Sequence, residues 1–174
     1  RFALAEKAIP WTSHHLNLRA GDQQRLDYLK LNPNALVPTM VDNGTVIIES
    51  TVINEYLDDA YPEPRLRPVE PTARARMRLW TKQLDEGVHA ATSVVSSAIA
   101  FRYQKLANGM GALEAFHKKM PDPVKRERSW ETVTKGVESR FFPEALKRFD
   151  KLLGAMEIAL TATPWLAGGE FSLA

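Results

Sequence analysis

Cysteine is absent from these 174 residues. Disulfide bonds and thiolate metal sites are therefore excluded within them. No apolar run approaches the ~18 residues that a membrane span needs, so a membrane partner is not expected. Neither sign of charge dominates: 23 Lys and Arg stand against 21 Asp and Glu, a net charge of +2. That balance creates no field calling for nucleic acid or an anionic surface. The densest basic run, Lys125-Arg126-Glu127-Arg128, is interrupted by an acid and reads as a solvated helix face. No signal peptide is visible either. The chain opens on Arg1-Phe2-Ala3-Leu4-Ala5-Glu6-Lys7, the middle of an amphipathic helix without an initiator methionine, and a cytoplasmic location fits. The expectation is that the natural N-terminus lies upstream. Repeats and low-complexity tracts are also lacking.

Hydrophobic residues make up 44% of the chain and charged residues 25%, the proportions of an ordinary globular protein with a real core. The length allows one large domain or two small ones. Residues 1–8 read as a helix stopped by Ile9-Pro10. Residues 11–18 mix β-formers with polar residues as a strand would, and Ala20-Gly21-Asp22 marks a turn. A short helix follows over 25–30, closed by Asn32-Pro33. A strand is expected over 36–41, then a tight turn at Asp42-Asn43-Gly44, whose residues suit positive φ, then a return strand over 45–48 rich in β-branched residues. Ser50 is placed to cap a helix carrying Val52, Ile53, Tyr56 and Leu57 at helical spacing. With one strand missing in front, the order is β-α-β-α-β-β-α, the plan of a thioredoxin-like fold with a four-stranded mixed sheet.

Tyr61-Pro62-Glu63-Pro64 breaks the pattern and opens a linker over 62–69. It separates a thioredoxin-like α/β domain over 1–61 from an all-α domain over 70–174. In the second domain one long helical stretch runs from Pro71 to about Tyr103, with proline at its first turn. A looser segment over 109–123 contains the breakers Gly109, Gly111, Pro121 and Pro123. A second strong helix covers 144–161.

Two features can carry chemistry. A proline inside a strand removes a ladder donor, so it belongs at an edge or a special turn. Val37-Pro38, just before a hairpin, is where thioredoxin-like folds hold a cis proline. There the N–H and C=O of Val37 would be left for an extended peptide to pair with. The same dipeptide also fits an ordinary trans proline at a strand start. Eleven residues on, Glu49-Ser50 stands at a strand–helix junction. Free N–H groups and the positive dipole end there suit a carboxylate, and Glu49 suits an ammonium; Ser50 also fits as a plain helix cap. Together the pair would recognise an amino-acid head group beside a peptide-binding edge.

The run Asn32-Pro33-Asn34-Ala35-Leu36-Val37-Pro38-Thr39-Met40, followed by Ile48-Glu49-Ser50 and Ile53-Asn54-Glu55-Tyr56-Leu57, resembles the glutathione-binding domain of cytosolic glutathione transferases. Near the other end, Trp165-Leu166-Ala167-Gly168-Gly169-Glu170-Phe171-Ser172-Leu173-Ala174 resembles the family's buried capping segment, whose serine opens a helix. Glu49 to Leu57, Arg67-Pro68 and Met77-Arg78-Leu79-Trp80-Thr81-Lys82 are most similar to bacterial β-aryl etherase-like members. The resemblance implies glutathione as co-substrate. The Val37 and Pro38 backbone would hold its cysteinyl part, Glu49 and Ser50 its γ-glutamyl group, and Gln24 its glycyl carboxylate. Leu36 departs from the polar residue common in the family before Val-Pro.

The implied chemistry is that of a transferase. The glutathione thiol is activated as thiolate for attack on a small, hydrophobic, electrophilic and aromatic second substrate, the chemistry of detoxification. The activating serine, tyrosine or cysteine of the family would stand upstream of Arg1. Trp80, His89, Phe101 and Tyr103 are candidates to line the second-substrate pocket. The family's habit implies a cytoplasmic homodimer, in which Asp85 would reach a partner subunit's site. No metal is expected, since His14 and His15 have no third ligand nearby. Two alternatives stay open: a glutathione-dependent enzyme cleaving aryl ethers, and a non-catalytic binding module of the same fold.

Overall fold

The computed structural model describes residues 1–18, 20–120 and 122–174; the expected breaker Pro121 lies outside the described residues. By its internal contacts the chain forms two compact units, Arg1–Arg78 with Ala167–Ala174, and Leu79–Leu166. The segment 62–69 falls inside the first. Among the described residues no helix is long and apolar enough to cross a membrane.

In the first unit, helix α1 (Phe2–Glu6) stops where Ala8 takes φ 51° before Ile9-Pro10. Residues 11–18 do not form the expected strand. β-forming side chains are not enough: each backbone N–H and C=O of a strand needs a partner on a neighbour, and the described residues offer none there. Asn17 instead closes a turn, its N–H donating to Asp22 Oδ2 at 2.7 Å while its own Oδ1 accepts from the Ala20 N–H at 3.2 Å. A 3₁₀ turn (Asp22–Gln24) leads into α2 (Leu26–Leu29). The sheet is a hairpin of β1 (Thr39–Asp42) and β2 (Thr45–Ile48), paired antiparallel from Thr39↔Ile48 to Asp42↔Thr45. Asn43 and Gly44 turn it with φ 47° and 80°, the two consecutive positive values of a type I′ turn. The expected four-stranded sheet is thus two-stranded among the described residues.

Helix α3 (Ser50–Ala60) follows at once. Its Ile53 and Leu57, one turn apart, are buried with Ala3 and Leu66, and Met40 and Ile47 of the hairpin pack against them. The loop after α3 is pinned from beneath. Lys7, wholly buried at its side chain, places Nζ 2.7 Å from Asp58 Oδ1 and donates at 2.7 Å to the carbonyls of Tyr61 and Pro64. Asp58 also accepts from the Leu66 N–H at 2.7 Å and from Arg67 Nε at 2.9 Å.

Helix α4 (Pro71–Gln83) begins at its proline, and the Glu70 carboxylate accepts from the N–H groups of Thr72 and Ala73. The long helical stretch expected over 71–103 is interrupted. Glu86 and Gly87 leave helical geometry, Gly87 at φ 148°, before α5 (His89–Ser96) and α6 (Arg102–Leu106). A Cβ on Gly87 would lie 2.4 Å from Arg148 Nη1. The segment expected to be loose holds a regular helix, α7 (Met110–Lys118), entered through Gly109 at φ 81°. Pro123 begins α8 (Pro123–Lys135), capped by Asp122 through the N–H groups of Val124 and Lys125. Helix α9 (Phe141–Ala162) completes the second unit, whose buried Ala91, Val94 and Ala145 pack with Phe141, Phe142 and Phe149.

Candidate functional site

The hairpin register brings the two features of the sequence together. Thr39 pairs with Ile48 at the open end of the ladder. One residue beyond that pair stand Pro38 on one strand and Glu49 on the other, and two residues beyond it Val37 and Ser50. The Val37-Pro38 bond is cis. Val37 is 45% exposed, precedes the ladder, and spends neither its N–H nor its C=O on the described residues. It is a strand edge of one residue, available to an added extended segment.

On the other side Glu49 is exposed and takes φ 68° and ψ 118°, a conformation that residues with a Cβ rarely adopt. This changes the expected cap. Because Glu49 is the non-helical residue whose carbonyl takes the first helical bond, from the Ile53 N–H at 2.8 Å, Glu49 is the N-cap and Ser50 the first helical residue. The Glu49 side chain makes no capping bond. The backbone N–H groups of its first turn, beginning at Ser50, have no carbonyl of their own helix to bond. They sit at its positive end, where a carboxylate is favoured. A non-helical, strained Glu49 at the positive end of a helix is the arrangement expected where a ligand binds.

Beneath the Val37-Pro38 edge lies a group that the sequence reading missed. Asn32 is 1% exposed. Its Nδ2 donates to the Leu36 carbonyl at 2.9 Å and to Thr39 Oγ1 at 3.2 Å, and its Oδ1 accepts from the Asn34 N–H at 3.1 Å. The Tyr28 hydroxyl joins the same two atoms, donating to the Leu36 carbonyl and standing 2.7 Å from Thr39 Oγ1. Asn32-Pro33 signalled a helix stop, and nothing in a linear pattern shows that its side chain reaches forward to Leu36 and Thr39.

The other expected residues are placed as follows. Gln24 is exposed at the end of the 3₁₀ turn, whereas the neighbouring Gln23 buries Oε1 without a partner among the described residues. Trp80, His89, Phe101 and Tyr103 all fall in the second unit. The Trp80 indole N–H donates to the Leu166 carbonyl at 2.8 Å, which ties the ring to the end of that unit. His89 is exposed, with Nδ1 4.0 Å from Asp85 Oδ1. Phe101 and Tyr103 are 46% and 67% exposed. Two concavities of about 250 and 310 Å³ lie elsewhere, the first around Arg65, Arg67 and Arg74 and the second around His117 and Trp130. Neither includes Val37, Glu49 or Ser50. Among the described residues no three His, Asp or Glu side chains gather as a metal site.

Residues 1–60 match the profile of the glutathione S-transferase N-terminal domain. Over 176 aligned residues the chain is 30% identical to LigF of Sphingobium sp. (strain NBRC 103272 / SYK-6), covering 98% of this chain and 67% of that protein. The crystal structure of the β-etherase LigF superposes with a TM-score of 0.84 at 28% identity, covering 98% of this chain and 71% of that one. A stringent starvation protein A homolog of Haemophilus ducreyi is 35% identical over 96 residues, covering 55% of this chain and 44% of that protein. The fold also matches a glutathione transferase homolog from Sulfitobacter solved with bound glutathione, with a TM-score of 0.66 at 20% identity, over 98% of this chain and 68% of that one. The chain thus spans about two thirds of LigF and under half of the starvation protein homolog.

Proposed function

The chain belongs to the glutathione S-transferase family, and we propose that it binds glutathione along the Val37-Pro38 edge and conjugates the tripeptide, through its thiolate sulfur, to an electrophilic, hydrophobic and aromatic second substrate. The observation that carries this reading is the register, whose last pair Thr39↔Ile48 leaves Val37-Pro38 leading into one strand and Glu49-Ser50 leading out of the other at the same end of the hairpin. Glutathione fits what those residues leave unspent. The Val37 N–H and C=O pair with the cysteinyl backbone as a strand would. The N–H groups at the start of α3 take the γ-glutamyl carboxylate. Glu49, exposed beside them, takes the ammonium. Gln24 is proposed for the glycyl carboxylate. Bound there, glutathione supplies a sulfur nucleophile whose attack forms a carbon–sulfur bond and expels the leaving group of the acceptor.

A second reading narrows the acceptor to an aryl ether, with a phenol as the leaving group. It is favoured by the TM-score of 0.84 to the β-etherase LigF, against 0.66 for the Sulfitobacter transferase homolog. Trp80, His89, Phe101 and Tyr103 are proposed for the acceptor's side. The same reading takes the protein as a bacterial, cytoplasmic homodimer working in detoxification, and its bacterial part draws on the Sphingobium and Haemophilus relatives.

Incubation of the full-length protein with glutathione and either a chromogenic aryl halide or a model β-aryl ether tests both. A thioether product supports the transferase, and phenol released in equal amount from the ether selects the second reading. Neither product from either acceptor would leave a fold reused for binding.

A further inference from the structure

We propose that Tyr28, Asn32 and Thr39 form a hydrogen-bonded ring that positions the Val37-Pro38 edge for glutathione, so that the Tyr28 and Thr39 hydroxyls set glutathione affinity without touching the tripeptide. The proposal rests on the binding reading above. Its basis is the donor count around the edge. The Asn32 amide has two N–H donors; one goes to the Leu36 carbonyl and the other to Thr39 Oγ1. The Tyr28 hydroxyl has one proton, and the Leu36 carbonyl takes it. The Thr39 hydroxyl proton then points to Tyr28 Oη, 2.7 Å away. Every proton in the cycle has one acceptor, with Asn32 donating both ways and the Leu36 carbonyl accepting from both sides, so the protons have a single arrangement.

Two consequences follow for the edge. The Leu36 carbonyl accepts twice and has no lone pair left for a ligand, which makes Val37 the first residue able to pair with an added strand. The ring also clamps the chain on both sides of the Val37-Pro38 step, at Leu36 before it and at Thr39 after it. Asn32, at 1% exposure, anchors the ring in the interior, while Ala35 at φ 54° lets the loop return over it. With the Tyr28 hydroxyl removed, Leu36 and Thr39 lose one restraint each, and glutathione must order the edge as it binds.

The test measures glutathione Kd by calorimetry, and KM for glutathione and kcat with an aryl halide, on the full-length protein and on Tyr28→Phe, Thr39→Val and Thr39→Ser. Tyr28→Phe and Thr39→Val each raise Kd and KM about five- to tenfold, the equivalent of one hydrogen bond at roughly 1–1.4 kcal/mol, with kcat held within about twofold. Thr39→Ser keeps the hydroxyl and restores wild-type affinity. The double variant is no weaker than either single one, because the two groups act as one unit. Unchanged Kd in Tyr28→Phe, with only a lowered melting temperature, would overturn the proposal while leaving the binding reading intact. A wild-type protein that binds no glutathione fails the underlying reading instead, and this proposal falls with it. Should Thr39→Val not fold, Tyr28→Phe alone decides.

Discussion

Replacing Lys7 by methionine keeps an unbranched side chain one atom shorter and removes its charge and its donors. The structure gives the scale of the loss. Lys7 Nζ meets the Asp58 carboxylate and the carbonyls of Tyr61 and Pro64, each at 2.7 Å, and the two charged side chains are 0% and 3% exposed. Removing one partner of a buried pair leaves the other charge in the interior, which costs about 3–5 kcal/mol. Arg67 and the Leu66 N–H remain on Asp58 and keep the loss from being larger. At about 2–4 °C per kcal/mol for a chain of this size, Lys7→Met should melt roughly 6–20 °C lower. Urea titration read by fluorescence and far-ultraviolet dichroism gives the free energy directly.

The pH dependence supplies an independent check. Burial pushes the Asp58 carboxyl up, but the hydrogen bonds from Lys7, the Leu66 N–H and Arg67 outweigh it and hold the group below its ordinary value. A carboxyl depressed in the folded state stabilises the fold above its unfolded pKa of about 4, and that stability is lost as pH falls through the folded value. The contribution of Asp58 is therefore constant near neutrality and falls away below about pH 4. In Lys7→Met the acid-side fall should be shallower. A loss under about 1 kcal/mol with an unchanged acid limb would refute the reasoning and leave the network a surface-grade contact.

Gly87→Ala should destabilise by roughly 1–3 kcal/mol, because φ 148° is a backbone conformation for glycine; the guanidinium of Arg148 can swing aside, so thermal unfolding reads mainly the backbone term. Met77→Ala, at a side chain with 0% exposure, should lose about 2–5 kcal/mol of stability in the same assay.

Part of this was legible in the linear sequence, for local reasons. Asp42-Asn43-Gly44 announced its turn because few residues accept two positive φ values in succession. Val37-Pro38 and Glu49-Ser50 were legible because proline and a strand–helix junction are local punctuation, and the hairpin between them fixed their register. What was not legible depended on distant partners. Residues 11–18 carry the side chains of a strand, but a ladder neighbour decides whether one forms. Ser50 is the better capping residue by type, yet the backbone of Glu49 takes the cap, because the chain must turn sharply out of β2. The stretch read as one helix over 71–103 showed no interruption in its periodicity, and only the break at Glu86 and Gly87 explains why glycine stands there. The ring of Tyr28, Asn32 and Thr39 spans eleven residues without periodicity and shows itself only in three dimensions.

The central claim is that the open end of the hairpin binds glutathione at the start of α3, with the Glu49 side chain on its ammonium, and calorimetric titration of glutathione into the full-length protein and its Glu49→Gln variant tests it most directly. The account predicts binding by the wild type and at least a tenfold weaker affinity in the variant, a loss of about 1.4 kcal/mol. No heat from the wild type at millimolar glutathione, or equal affinity in both proteins, would contradict it.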